Sequence, residues 1–192
     1  MDLLIVGLGN PSRQYDATRH NVGFDFLNLL SQKWNLVFKR AIFLPAEVAR
    51  GTVSGCRVAL VKPQTYMNLS GDIFPRIFKQ LDMDVSNLLV VCDNMDLPAG
   101  TVRLKRQGGS GGQKGLQSII DRLQTRQFYR LFVGIGRPLP FQEVVSHVLS
   151  KPNAFEKKLI EDAFDFVCMQ MESLLKGEEQ KVIHEINSYR SE

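Results

Sequence analysis

Short apolar runs recur along this chain, and each is followed by a glycine or an aspartate, which is the pattern of strands buried inside a sheet. The clearest of them cover residues 3–8, 88–92 and 131–135. Residues 46–53 and 57–61 follow each other closely enough to form a pair of adjacent strands, and residues 102–105 form a shorter strand of alternating polarity. The pattern therefore predicts six strands spread over most of the chain.

Helical periodicity separates several of these strands. Residues 22–34 place apolar side chains such as Val22, Phe26 and Leu30 on one face, which predicts an amphipathic helix. Further helices are predicted over residues 68–81, 116–123 and 156–175, before a polar C-terminal segment. Pro75 is expected to kink the first of these, because proline lacks an N–H and its ring collides with the preceding turn.

Strands that alternate with helices predict an α/β fold in which helices cover both faces of a sheet. Because the middle strands are short and adjacent, we expect a mixed rather than a purely parallel sheet. The 192 residues, 44% of them hydrophobic, fit one compact domain over residues 1–192. No apolar run reaches the roughly 18 residues of a membrane span, and the first residues lack the basic region of a signal peptide.

Cysteine and histidine are few and scattered. The cysteines are Cys56, Cys92 and Cys168, without CxxC spacing. Their odd number and wide separation predict reduced thiols and hence a cytoplasmic protein. The histidines, which form no cluster with the cysteines or with each other, are His20, His147 and His184. We therefore expect no metal site.

Positive charge is concentrated in one segment. The net charge is +4, but residues 101–137 contain eight lysines and arginines and a single acid, Asp121, so this basic block carries +7 and the remainder −3. A basic block on a slightly acidic protein is expected of a phosphate-rich partner. The alternative is a solvated helix face with no partner.

The glycines after the first predicted strand invite comparison with a dinucleotide-binding loop. The segment reads Gly7-Leu8-Gly9-Asn10-Pro11. Ser12 stands where the fingerprint needs a third glycine, and Pro11 interrupts the turn, so no nucleotide cofactor is expected. A loop at a strand end is also where α/β sheets contact ligands. Asn10 there either offers an amide donor and acceptor to a ligand or serves only the turn.

His20 and Asp93 are the candidates for acid–base chemistry. His20 lies just before a predicted helix, and Asp93 directly follows the strand of residues 88–92. A carboxylate bonded to one imidazole nitrogen would leave the other nitrogen as a base, although a lone histidine is also commonly structural.

The group that a base at His20 would activate is either a side chain or water. The chain contains no GxSxG elbow, and the possible nucleophiles are Ser70, Ser110 and Cys92, the last of them in a predicted buried strand. Attack by water under general-base catalysis is the simpler hypothesis.

Three further side chains lie in segments that a ligand could reach. Asn68 either caps the helix that follows it or hydrogen bonds a substrate. Tyr15 and Tyr66 offer flat surfaces on which a base or a ribose could stack, or they pack inside the protein.

These segments together resemble the bacterial peptidyl-tRNA hydrolase family over essentially the full chain. The matching segments, in order, are Val6-Gly7-Leu8-Gly9-Asn10-Pro11, Tyr15, Thr18-Arg19-His20-Asn21-Val22-Gly23, Lys62-Pro63-Gln64-Thr65-Tyr66-Met67-Asn68-Leu69-Ser70-Gly71, Asp93, Asp96-Leu97-Pro98, Arg130 and Val133-Gly134-Ile135-Gly136. The resemblance implies a single α/β domain of the phosphorylase/hydrolase-like kind, with a twisted mixed sheet flanked by helices. It also implies an esterase that needs no metal or cofactor.

The resemblance implies a role for each matching residue. His20 would be the general base that activates water, and Asp93 would orient it. Asn10 and Asn68 would hydrogen bond the peptidyl group near the ester, and Asn10 would help to distinguish N-blocked peptidyl-tRNA from free aminoacyl-tRNA. The tRNA contacts would be made by Tyr15 and Tyr66 at the acceptor end and by Lys105 at the 5′ phosphate. The partner implied is peptidyl-tRNA, bound by a monomer with no obligate protein partner.

The chain departs from the family in the glycine-rich loop. The family commonly reads Gly-Gly-His-Asn-Gly, whereas this chain has Gln113 and Lys114 at the third and fourth positions. Lysine attracts phosphate but cannot accept a hydrogen bond, so as a substrate-binding residue Lys114 would act differently from an amide. Phe132 also stands where many relatives carry a basic residue. These departures keep open the alternative of an RNA-binding protein with weak or lost turnover.

Overall fold

The computed structural model of the protein describes residues 1–190, in which the chain forms seven strands and six α-helices. The strands are β1 (Leu3–Gly7), β2 (Lys39–Arg40), β3 (Ala46–Val53), β4 (Cys56–Pro63), β5 (Leu88–Asn94), β6 (Val102–Lys105) and β7 (Tyr129–Gly134). The helices are α1 (Val22–Lys33), α2 (Arg76–Leu81), α3 (Lys114–Leu123), α4 (Val144–Val148), α5 (Ala154–Leu175) and α6 (Glu179–Ser188). Within the described range, no helix combines the length and the hydrophobicity that a membrane span requires.

All seven strands belong to one mixed sheet, in the order β2-β3-β4-β1-β5-β7-β6. The central strands β4, β1, β5 and β7 are parallel, and the pairs β2–β3, β3–β4 and β6–β7 are antiparallel. The predicted mixed sheet is confirmed, as is the pairing of residues 46–53 with residues 57–61. Because the central strands run the same way, their carboxyl ends lie together at one end of the sheet.

Helices cover both faces of the sheet, as the alternation of elements predicts. In β1, Leu3 and Ile5 belong to the hydrophobic core beneath α1, α5 and α6. Their neighbours Leu4 and Val6 belong to a second core, beneath α2, α3 and the segment of residues 67–73. Successive side chains of a strand point to opposite faces, so a strand buried on both faces is apolar throughout, which accounts for the short apolar runs in the sequence.

The segment predicted as one kinked helix over residues 68–81 is instead two pieces. Met67–Ile73 forms 3₁₀ helix, Phe74 is extended, and α2 begins only after Pro75. Proline removes a donor and disfavours the helical conformation of the residue before it, so it ends the first piece rather than bending it. The sequence pattern also missed three elements: β2, α4 and α6.

The last helix, α6, covers the edge strand β6. The side chain of Asn187 accepts a hydrogen bond from the Leu104 N–H at 2.8 Å and donates one to the Leu104 carbonyl at 3.0 Å. These are the groups that a neighbouring strand would otherwise engage. The polar C-terminal segment therefore folds back and closes the exposed edge of the sheet.

Two glycines let α1 begin almost in contact with the ends of β1 and β5. A methyl group on Gly23 would lie only 2.6 Å from the Val91 carbonyl oxygen and closer still to backbone atoms of Leu8. A methyl group on Gly7 would collide with the carbonyl of Gly23. Backbone atoms cannot yield by changing rotamer, so this approach requires glycine at both positions. It fixes where residues 19–21, just before α1, lie relative to the strand ends.

We expect Gly23→Ala to lower the free energy of unfolding by about 1–3 kcal/mol, the usual cost of overpacking a tight contact. Urea denaturation measures the change. The matched control is Gly109→Ala, because a methyl group at Gly109 would meet no atom within 4 Å. Equal unfolding free energies for Gly23→Ala and the wild type would contradict the close approach of α1.

Candidate active site

A cleft of about 450 Å³ lies at the carboxyl ends of β1 and β5. After β1 the chain forms β2, β3 and β4 on one side of β1, and it then crosses to the other side of β1 to form β5. A crevice at such a change of strand order is where α/β sheets bind ligands. The lining residues are Asn10, His20, residues 66–68, residues 93–95, residues 111–114 and the apolar side chains of Val144, Val145, Val148 and Leu149.

His20 and Asp93 are in direct contact in this cleft. Nδ1 of His20 lies 2.9 Å from Oδ2 of Asp93. Asp93 lies near the end of β5 and is only 3% exposed. His20 lies in the 3₁₀ turn of residues 19–21, which directly precedes α1 and is held against the strand ends. An ionised carboxylate only accepts hydrogen bonds, so it favours the tautomer with the proton on Nδ1. Nε2 is then left with a lone pair, as a base requires.

Asn10 is held in place by Asn21 and Met67. The Asn10 N–H donates to Oδ1 of Asn21 at 2.9 Å, and the Asn21 side-chain amide donates back to the Asn10 carbonyl at 3.0 Å. Oδ1 of Asn10 accepts a hydrogen bond from the Met67 N–H at 2.8 Å. The acceptor that the sequence offered to a ligand is thus engaged within the protein. The donor Nδ2 remains the group that Asn10 can offer in the cleft.

Gln113 hydrogen bonds the second carboxylate oxygen of Asp93. Its Nε2 lies 2.9 Å from Oδ1 of Asp93, and its Oε1 accepts a hydrogen bond from the Leu116 N–H at 2.8 Å. Gln113 is therefore both the N-cap of α3 and a neighbour of the His20–Asp93 pair. In the sequence, Gln113 stands out only as a departure from the family pattern. Its position between the glycine-rich loop and the helix predicted over residues 116–123 was the one signal that it could act as a cap.

The comparison with known proteins is unambiguous. The sequence profile of the family described as peptidyl-tRNA hydrolase matches residues 4–192. The chain belongs to the peptidyl-tRNA hydrolase family. A peptidyl-tRNA hydrolase from Bacillus subtilis (strain 168) is 40% identical over 186 residues, which are 97% of this chain and 98% of the relative. One from Halalkalibacterium halodurans is 39% identical over 184 residues, 96% of this chain and 99% of the relative.

A solved structure agrees with the sequence relatives. The crystal structure of peptidyl-tRNA hydrolase from Acinetobacter baumannii matches with a TM-score of 0.94 at 35% identity, over 100% of this chain and 97% of that chain. The resemblance inferred from the motifs is confirmed, as are the α/β fold with a mixed sheet and the prediction of a hydrolase of this family. The individual residue roles stay predictions at this point.

The remaining predicted substrate-binding residues divide into two groups. Tyr66, Asn68 and Lys114 are exposed and line the cleft. Asn68 does not cap the segment of residues 67–73, whose N-cap is Tyr66 without a side-chain hydrogen bond, so the capping alternative is wrong. Tyr15 is half-buried in a 3₁₀ turn and is not among the residues lining the cleft. Of the residues predicted to contact substrate or tRNA, the structure thus places all in this cleft except Tyr15 and Lys105.

The side-chain nucleophiles considered from the sequence are poorly suited to attack. Burial raises the pKa of the Cys92 thiol well above its ordinary value, because the charged thiolate is disfavoured inside the protein. Ser70 is fully buried, and its hydroxyl donates to the Met67 carbonyl at 2.8 Å. Ser110 is not among the cleft-lining residues.

Among the described residues, no group of three or more histidine, cysteine or acidic side chains is arranged to hold a metal ion.

One of the eight basic residues in the block of residues 101–137 does not reach the surface. Arg130 is fully buried, and its guanidinium donates to the carbonyls of Gly108, Gly109, Arg126 and Phe128. It therefore fixes the start of the glycine-rich loop instead of facing a partner. Lys105 and Lys114 are exposed. Phe132 is buried, and its ring lies 6.0 Å from Nζ of Lys105.

Arg19, which sequence reasoning passed over, ties one wall of the cleft to the His20 segment. Its guanidinium donates to Oγ of Ser150 at 2.7 Å and to the Lys151 carbonyl at 2.8 Å, and it pairs with Glu156 at the start of α5. These contacts hold the segment that follows α4. Helix α4 supplies Val144, Val145 and Val148 to the lining of the cleft, whereas α5 and α6 supply none of the lining residues.

Proposed function

We propose that this protein hydrolyses the ester between the peptide and the 3′ ribose of peptidyl-tRNA and so releases free tRNA for reuse in translation. The observation that carries the proposal is the contact of 2.9 Å between Nδ1 of His20 and Oδ2 of Asp93 at the floor of an open cleft. Membership of the peptidyl-tRNA hydrolase family supports the choice of substrate. We further propose that the protein acts as a monomer. The three unpaired thiols are in keeping with the cytoplasm.

The proposed reaction uses water as the nucleophile. Nε2 of His20 takes a proton from a water molecule as its oxygen attacks the ester carbonyl carbon. Asp93 stabilises the imidazolium that forms, since it faces the Nδ1 proton from a nearly buried position. As the tetrahedral intermediate collapses, the bond from carbon to the ribose oxygen breaks and His20 returns the proton to that oxygen. The products are free tRNA and the carboxylic acid of the peptide, which releases its remaining proton to solvent.

Two amides are placed to hold the peptidyl group. Nδ2 of Asn10 is the donor that this side chain can offer, and it would bind a carbonyl of the peptide because its Oδ1 is engaged by Met67. Asn68 lies exposed on the same cleft, and its side chain is free to donate and to accept. A blocked α-amino group presents such a carbonyl beyond the ester, whereas a free aminoacyl group does not. This difference would favour peptidyl-tRNA over aminoacyl-tRNA.

The tRNA contacts are proposed from exposure and charge. Tyr66 is 60% exposed beside the cleft and offers a ring on which a base or ribose of the acceptor end can stack. Lys105 is exposed on the edge strand, where the 5′ phosphate would bind. Tyr15 is half-buried, and we assign it a contact with the acceptor end through the part of its side chain that remains exposed.

Lys114 is a cation at the first position of α3. A positive charge there is disfavoured by the helix dipole, so the lysine does not serve the stability of the helix. It is exposed on the rim of the cleft. We therefore assign it an ionic contact with the RNA backbone in place of the amide contact that the family pattern implies at this position.

The deciding assay is release of free tRNA from N-acetyl-aminoacyl-tRNA by the purified protein. Turnover supports the hydrolase. Tight tRNA binding without turnover would instead favour an RNA-binding protein on this fold, the alternative that Gln113 and Lys114 raise.

We expect His20→Ala to lower kcat by about 10²–10⁴-fold, the usual loss for a positioned general base, with tRNA affinity nearly unchanged. His184→Ala is the matched control, because His184 lies exposed on α6 and is not among the cleft-lining residues. A His20→Ala enzyme that keeps more than about a tenth of wild-type kcat would contradict the assignment.

Asp93→Asn should also lose activity at unchanged tRNA affinity. The amide keeps the shape of the carboxylate but cannot stabilise imidazolium, and by donating to Nδ1 it selects the tautomer protonated at Nε2. Nitrogen-15 chemical shifts of the His20 ring should report the proton on Nδ1 in the wild type and on Nε2 in the variant. The same tautomer in both proteins would count against the contact.

Lys114→Asn should flatten the dependence of log affinity for tRNA on log salt by up to about one unit, since each phosphate contact contributes roughly 0.7–0.9. Turnover at saturating substrate should be preserved or improved. Binding of tRNA over a salt series measures both slopes. Superimposable lines for the two proteins would mean that Lys114 makes no ionic contact with the RNA.

A further inference from the structure

Gln113 lies on the side of Asp93 away from His20, where it bonds the carboxylate oxygen that His20 does not use. We propose that Gln113 is a positioning residue for the reaction: as a neutral donor it orients Asp93 toward His20 and leaves the negative charge of Asp93 free to stabilise imidazolium. This inference rests on the proposed function. It concerns one of the residues at which this chain departs from the common family pattern.

The orientation of the Gln113 amide follows from its two partners. The Leu116 N–H, 2.8 Å away, can only donate, so the oxygen of the amide must face it. The nitrogen then has to face Oδ1 of Asp93 at 2.9 Å, and an ionised carboxylate can only accept. In the reversed orientation, the amide N–H groups would face the Leu116 N–H and the amide oxygen would face the Asp93 carboxylate. The N-terminus of α3 thus holds the amide in the one orientation that donates to Asp93.

The neutral charge of Gln113 matters as much as its donor. Asp93 is 3% exposed, and an unsatisfied oxygen on so buried a carboxylate would be costly. An arginine or lysine in place of Gln113 would satisfy it but would also neutralise the carboxylate. A neutralised carboxylate would stabilise a positive imidazole ring less well. A neutral amide supplies the hydrogen bond without that compensating charge.

Gln113 acts through Asp93 and not on the substrate. It is 6% exposed, and its Nε2 also lies 3.0 Å from the sulfur of Met67, so that both the sulfur and the Asp93 carboxylate engage the amide nitrogen. The Met67 N–H in turn holds Asn10. The amide is therefore confined between α3, Met67 and Asp93, with little freedom to turn toward a ligand.

The test separates this role from that of a helix cap. Gln113→Glu keeps the side-chain length and an oxygen for the Leu116 N–H, and a negative charge at a helix N-terminus is favourable. It places an oxygen instead of an N–H against Oδ1 of Asp93. With N-acetyl-aminoacyl-tRNA we expect kcat to fall by about 10–100-fold, which is less than the loss expected when the general base itself is removed. KM should change by less than about threefold. Gln113→His introduces the histidine of the family pattern, whose ring N–H can donate to Asp93. This variant should keep kcat within about threefold of the wild type.

Gln117→Glu is the matched control, because it adds the same charge to an exposed position of α3. It should leave kcat unchanged. If Gln113→Glu does not fold, Gln113→Met, which has similar length and no donor, replaces it with the same expected loss of kcat. Wild-type kcat in a folded Gln113→Glu or Gln113→Met enzyme would overturn the inference while leaving the roles of His20 and Asp93 intact. Full activity in His20→Ala would instead overturn the proposed function itself.

Discussion

The contact between α1 and the ends of β1 and β5 determines the geometry of the whole site. Because Gly7 and Gly23 carry no side chains, the helix starts against the strand backbone, and the turn before it brings His20 to Asp93. Asp93 is buried there at the end of a strand and needs a donor on each oxygen. Those two donors come from segments more than seventy and about twenty residues away in sequence, so the site forms only when both faces of the sheet are assembled.

The fold was largely predictable because its central strands are buried on both faces. The apolar runs at β1, β5 and β7 can be recognised as strands from the local sequence alone, without knowing which elements pack against them. The elements that the pattern missed owe their structure to tertiary contacts. The strand β2 has only two residues, both exposed, and exists through its pairing with β3. The helix α6 is polar over most of its length and is held by Val182 and Ile186 in the core and by Asn187 on β6.

The site was predictable where a strand or loop delivers a side chain, and not where side chains meet each other. Asp93 follows from its place at a strand end, and His20 from its rarity and the family motif. Asn21, Met67 and Gln113 act through hydrogen bonds to residues distant in sequence, and no local pattern reports such partners. The burial of Arg130 was hidden for the same reason, since a basic residue among other basic residues gives the appearance of surface charge.

The two hydrogen bonds from Asn187 to Leu104 have a consequence for truncated forms of the chain. They occupy the outward-facing N–H and carbonyl of the edge strand, so a protein cut before α6 would present that strand unprotected. An uncovered edge is a template for pairing with the same strand of another molecule. The C-terminal helix α6 supplies none of the residues that line the cleft; while it stays packed on β6, the Leu104 backbone groups are not available for pairing with a second molecule.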